Sequence, residues 1–149
     1  MKRFLLALIA LTALVSVHIN GPAVAQNGSG YVVITHPATP HDSLSKSQAS
    51  SLLLKKRSKW PDSDLKAAPV DLAGSSDVRE SLSRDLHSRS VSSIKSYWQK
   101  QIFSGRNSPP PELSGDSEVI EWVSKNPGAI GYVSPRARLD GVKTLSIVD

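Results

Sequence analysis

The chain has 149 residues, 18 of them Lys or Arg and 13 Asp or Glu, with 39% hydrophobic and 5% aromatic content and no Cys. The missing thiols exclude disulfides, a Cys nucleophile and a lipid-carrying Cys, so the fold must be held by packing alone. The net charge of +5 includes Lys2 and Arg3; without them 16 basic and 13 acidic residues leave a mild excess that makes no case for nucleic acid.

Lys2-Arg3 precede an apolar run from Phe4 to Val17, and Ala23-Val24-Ala25 supplies the small residues that signal peptidase needs. The run is too short for a spanning helix, which takes about 20 residues. Residues 1–25 therefore read as a cleaved secretory signal. Residues 26–149 are expected to form one domain without a further membrane span, a length that suits one lobe better than two.

After the Gly/Ser lead-in to Gly30, Tyr31-Val32-Val33-Ile34-Thr35 predicts a buried strand, and the two prolines between His36 and Asp42 predict a loop. Ser45 and Gln48 have capping-box spacing, which predicts a helix running through Leu52, Leu53 and Leu54 to the cations Lys55-Lys56-Arg57. Lys66 to Asp71 is the next strand candidate. Ser76 can cap a helix carrying Val78, Leu82 and Leu86 at four-residue spacing. A further helix is expected from Val91 to Phe103, with Val91, Ile94, Trp98 and Ile102 on one stripe and Gly105 as its stop. Pro109-Pro110-Pro111 marks an extended connector, Asp116 to Lys125 a last helix, and Ala129 to Val133 and Lys143 to Val148 two strands. Strands alternating with helices predict an α/β domain with a parallel or mixed sheet.

Landmarks along residues 31–134 carry a resemblance: Leu44-Ser45-Lys46-Ser47-Gln48, Trp60-Pro61-Asp62, Pro69-Val70-Asp71, and Pro127-Gly128-Ala129-Ile130-Gly131-Tyr132-Val133. In this order they resemble one lobe of the substrate-binding components of phosphate ABC transporters, the type 2 periplasmic binding proteins. The resemblance implies a single three-layer-like α/β lobe with a mixed sheet flanked by helices. It also implies a periplasmic location, inorganic phosphate or another small anion as ligand, an inner-membrane permease or an envelope protein as partner, and no cofactor.

In the family this lobe supplies an Arg after the Pro-Val strand and a Ser-Gly-Thr at the start of the next helix, where charge-assisted bonds and free backbone N–H groups hold an anion. An ungapped reading puts Leu72 at the Arg position and Ser76, Asp77 and Val78 on the Ser-Gly-Thr, so only the serine is kept. A shift of one residue makes Gly74-Ser75-Ser76 an anion nest with Arg79 reaching back. Ser76 as a plain helix cap is the third reading. Arg106, within Ser104-Gly105-Arg106-Asn107-Ser108, is either the cation of an oxyanion loop or a solvated residue at a helix stop. The candidate ligand-binding residues are thus Ser75, Ser76, Arg79 and Arg106.

His36, His41 and Asp42 are too few and too loop-bound to assign a metal. No Ser/His/acid spacing, Cys or Gly-rich nucleotide loop points to catalysis, and the expectation is a protein that is not an enzyme. A second expectation of another class stands beside transport: an interaction module that kept the fold and lost the solute. Processing is directly testable: N-terminal sequencing of protein from the periplasm should find a first residue between Gln26 and Gly28, and an intact Met1 on membrane-bound protein would rule the signal reading out.

Overall fold

A computed structural model describes residues 30–74 and 76–149; the signal expected at residues 1–25 and candidate Ser75 lie outside the described residues. In chain order the elements are β1 (Val32–Thr35), β2 (Ser43–Ser45), α1 (Lys46–Leu53), β3 (Ala68–Pro69), β4 (Asp71–Leu72), α2 (Asp77–Leu86) and α3 (Val91–Phe103). They are followed by β5 (Glu112–Leu113), α4 (Asp116–Lys125), β6 (Ala129–Val133), β7 (Lys143–Thr144) and β8 (Ser146–Val148).

The apolar run that closes the resemblance is the centre of the main sheet. That sheet has the order β3-β6-β1-β7; β6 is antiparallel to β1 with Ile34 opposite Gly131, and parallel to β3 with Pro69 opposite Ile130. All five residues of β6 are buried. Two short parallel pairs, β2 with β8 and β4 with β5, extend the framework. The result is a mixed sheet flanked by helices, the predicted fold class.

Helix α4 lies directly on β6. A Cβ at Gly131 would stand 2.7 Å from Val70 Cγ1 and 3.0 Å from Val119 Cγ1, so the absence of a side chain is what lets strand and helix approach. Trp60 locks the same strand from its N-terminal end. Its ring is 1% exposed, its Nε1 donates to the Gly128 carbonyl at 2.9 Å, and it stacks on His41 with centroids 5.9 Å apart. Gly128 itself has φ of 79° and would place a Cβ 2.1 Å from the Lys66 carbonyl oxygen, so this turn requires glycine.

The caps follow the sequence closely. Gln48 N donates to Ser45 Oγ at 3.2 Å while Ser45 N donates to Gln48 Oε1 at 3.0 Å, completing the predicted box on α1. That helix is shorter than expected. Its C-cap is Leu54, Lys55 turns left-handed with φ of 51°, and the amides of Lys56 and Arg57 both return to the Ser51 carbonyl. The cations therefore belong to a loop beyond the helix.

Helix α3 has the predicted bounds but only part of the predicted stripe. Ile94 and Trp98 pack with Leu54 in a small second cluster, whereas Ile102 is 54% exposed. The body it packs on ends before its last turn. The strand expected over Lys143 to Val148 is divided between two sheets, β7 joining β1 and β8 joining β2. The other two Trp residues differ in depth: Trp98 is buried and Trp122 is half-buried against the main core.

Trp60→Ala should lower stability by roughly 3–5 kcal/mol, since it empties a buried aromatic site and removes the bond to Gly128. Denaturant unfolding checks this. A loss under about 0.5 kcal/mol would mean that the ring contributes no packing.

Candidate functional site

The region singled out by the sequence is the turn between β4 and α2. Ser76 is the N-cap of α2, its Oγ accepting from Arg79 N at 3.1 Å. The predicted cap is therefore real, and the first turn also carries Asp77 and Glu80, whose charges favour the positive end of the helix dipole.

Arg79 does reach back, as the shifted reading requires, but it reaches to protein groups. Its side chain is 3% exposed. Nη1 donates to the Leu72 carbonyl at 2.7 Å and to the Gly74 carbonyl at 3.4 Å, while Nη2 meets Asp71 Oδ2 and Glu112 Oε1, each at 2.9 Å. Three hydrogen bonds and a second ion pair thus engage the guanidinium. Leu72, which an ungapped reading puts at the Arg position, is buried in the core instead.

Asp71 is held from the other side by Tyr132. The phenol donates to Asp71 Oδ1 in a short contact, and Leu72 N donates to the same oxygen at 2.9 Å. Burial pushes the Asp71 carboxyl above its ordinary value, against the pull of Arg79 and of these hydrogen bonds, and the neighbouring Glu112 charge adds to the rise. Burial first, and then the Asp71 charge, push the Tyr132 phenol well up, so it stays a donor. Tyr132, Asp71, Arg79 and Glu112 thus form a chain of charge-assisted bonds joining β6, β4, α2 and β5.

The described candidates, Ser76, Arg79 and Arg106, are not all gathered together. Ser76 and Arg79 share one helix turn, and Ser75 is outside the described residues. Arg106 is exposed at the end of α3, where Ser104 caps the helix, Gly105 turns with φ of 65° and Arg106 N returns to the Gln101 carbonyl at 3.1 Å. That is the geometry of a helix stop. The partners of Arg79 were missed because residue spacing carries no sign of which carboxylates a folded Arg meets. Asp71 and Tyr132 stood within the quoted landmarks, which was the available signal.

The loop residues weighed as metal ligands have other engagements. His36 Nδ1 accepts from Ala38 N, His41 Nε2 donates to the Pro61 carbonyl, and Asp42 pairs with Lys143 at 2.9 Å. Among the described residues no group of three His, Asp or Glu could hold a metal ion, and no helix is long and apolar enough to cross a membrane.

No family model and no curated protein matches the sequence. Solved structures do match the fold. An ABC-type phosphate transport receptor from Vibrio cholerae aligns over 79% of this chain and 46% of its own, with TM-score 0.62 and 21% identity. A phosphate ABC transporter substrate-binding protein from Clostridium perfringens, solved with bound phosphate, gives TM-score 0.63 at 19% identity, covering 79% of this chain and 44% of the other. PstS from Borrelia burgdorferi gives 0.62 at 18%, covering 79% and 47%. The chain spans less than half the length of these proteins, and the likeness shows the fold: one lobe of the periplasmic-binding-protein kind.

Close to this site, His87 follows α2 and shares a hydrogen bond of 2.8 Å with Ser50 on α1. Burial, then the charges of Lys56 and Arg89, bring its pKa down from 6.5 to about 4. The unfolded chain therefore binds more protons between those values, so stability is complete above pH 6.5 and declines as the pH falls toward about 4. His87→Gln should remove on the order of 3 kcal/mol of this dependence, read as a flatter difference in unfolding free energy against pH. Parallel curves for the two proteins would show that His87 does not titrate on unfolding.

Proposed function

We propose that the chain is a periplasmic substrate-binding protein, delivered by a cleaved signal, that works beside phosphate ABC transport by holding a small anion and not by catalysis. The observation that supports this is the match to phosphate receptors across the span where the sequence carries their landmarks. The ligand is inorganic phosphate or a similar anion. Its site is the start of α2, with the Ser76 turn, Ser75 and the Arg79 guanidinium; Arg106, at the helix stop after α3, stands apart from it. The partner is an inner-membrane permease or an envelope protein.

Affinity for free phosphate is expected to be weak, because Arg79 is already bound to two carboxylates and Asp77 places another charge on the first turn of the helix. A phosphate must displace Glu112, whose side chain is the more exposed of the two partners, before it can meet the guanidinium. The same engagement of Arg79 favours the second reading, an interaction module that kept the fold and lost the solute.

Calorimetric titration separates the two. Wild-type protein should bind phosphate only at millimolar concentration or above, and Glu112→Gln should tighten binding at least about fivefold by freeing one face of Arg79. No binding by either protein would favour the interaction module. Micromolar binding that survives Arg79→Gln would place the anion site elsewhere.

A further inference from the structure

Charge is segregated in this molecule along lines that the anion site does not explain. Residues 43–61 and 86–111 contain nine of the 18 Lys and Arg and none of the 13 Asp and Glu. The fold puts these two segments side by side: Lys55 Nζ donates to the Ser108 carbonyl at 2.9 Å, Asn107 Nδ2 donates to the Lys55 carbonyl at 3.0 Å, and Lys56 lies 5.8 Å above the Tyr97 ring. Lys46 and Lys59 have acidic partners from outside these segments, but among the described residues Lys55, Lys56, Arg57, Arg89, Lys100 and Arg106 make no ion pair. Like charges held together this way repel one another, and the sequence places no carboxylate among them to relieve it.

An apolar tip stands on the same face. Phe103 is 91% exposed and Ile102 54%, and Phe103 has Lys100 three residues before it and Arg106 three residues after. Beside the tip, an open groove is lined by Arg89, Ser92, Ser93, Ser96, Tyr97 and Lys100, which offers cations and hydroxyls but no acid. The positive field extends inward as well, since Lys56 and Arg89 help to depress the pKa of His87.

We propose that this face docks on an anionic lipid bilayer, with Phe103 and Ile102 entering the headgroup region and the surrounding cations taking lipid phosphates. Two observations favour a bilayer over an acidic protein. A stable protein interface buries about 800 Å² per partner around an apolar centre. Here only four large hydrophobic residues are exposed among those described, and two of them form this tip. A small wedge of aromatic and aliphatic side chains ringed by Lys and Arg suits the headgroup boundary, where apolar insertion and electrostatic attraction add. The start of α2 plays no part, so the inference stands apart from anion binding there.

The chain has no Cys, so one introduced thiol can be labelled cleanly in the full-length protein. Phe103→Cys and, as a control on another loop, Asp140→Cys would each carry an environment-sensitive fluorophore. With vesicles of phosphatidylglycerol in phosphatidylcholine, the label at position 103 should brighten at least about twofold and shift to the blue at low salt, losing the response as salt is raised to about 0.5 M. Phosphatidylcholine alone should give no response, and neither should the label at position 140. Unlabelled Lys100→Glu with Arg106→Glu should weaken vesicle binding on the order of tenfold or more, at roughly fivefold for each cation lost. Phe103→Ser should weaken vesicle binding while leaving binding to soluble polyphosphate unchanged. Residues 1–29 are the same in every variant, so their own contribution cancels. An unresponsive label at position 103, or polyphosphate binding with vesicle binding indifferent to Phe103→Ser, would overturn the bilayer reading in favour of a soluble polyanion or no docking at all.

Discussion

The rest of the structure depends on the close approach of α4 to β6 at Gly131. Strand β6 is hydrogen-bonded along both edges and buried on both faces, so it accepts a polar group only where that group is paired, as Tyr132 is with Asp71, and it has little room for added volume. Val119 and Val123 of α4 and Val70 of the neighbouring segment close over the space that glycine leaves. Trp60 then fixes the turn entering β6 by bonding to Gly128, which ties the loop after α1 to the sheet. Short elements can hold here because they meet one common strand. Without that strand the two-residue pairs of β4 with β5 and the ends of β3 would have no scaffold.

The chain of bonds from Tyr132 through Asp71 to Arg79 and Glu112 builds on that strand. A guanidinium taken out of water requires compensation at nearly every donor, and two carbonyls and two carboxylates supply it. This explains how an Arg can occupy the interior of a small α/β lobe. It also sets the chemistry of the turn before α2, where two internal carboxylates already hold the one cation. The fold is similar to part of those solved structures, while the electrostatics of this turn are satisfied from within.

At the opposite extreme of solvation, the loop after α1 and the whole of α3 present cations without acids. The remaining carboxylates are distributed elsewhere on the chain, so a modest net charge conceals a strongly polarised surface. Helix α3 touches the body through Leu54, Ile94 and Trp98 and carries its last turn into solvent. Neither feature is needed for the core, which is why both bear on what the protein meets.

The sequence by itself determined the local structure wherever the cause is local. Ser45 with Gln48, Ser76 and Ser90 cap helices because their hydroxyls are adjacent to free amides, and Ala129–Val133 is a buried strand because nothing in it can face water. The landmarks in their order were also enough to indicate the fold class. The end of α1 was not legible, since a left-handed Lys55 has no mark in a basic run. Nor were β2 and β5, each of two or three residues, which exist only because a distant strand pairs with them. Tertiary structure alone decided that Arg79 faces Asp71 and Glu112, that Ile102 leaves the stripe it shares with Trp98, and that two acid-free segments meet at Lys55 and Ser108. Each of these joins residues far apart in the chain, and spacing along a sequence carries no information about distances that only folding closes.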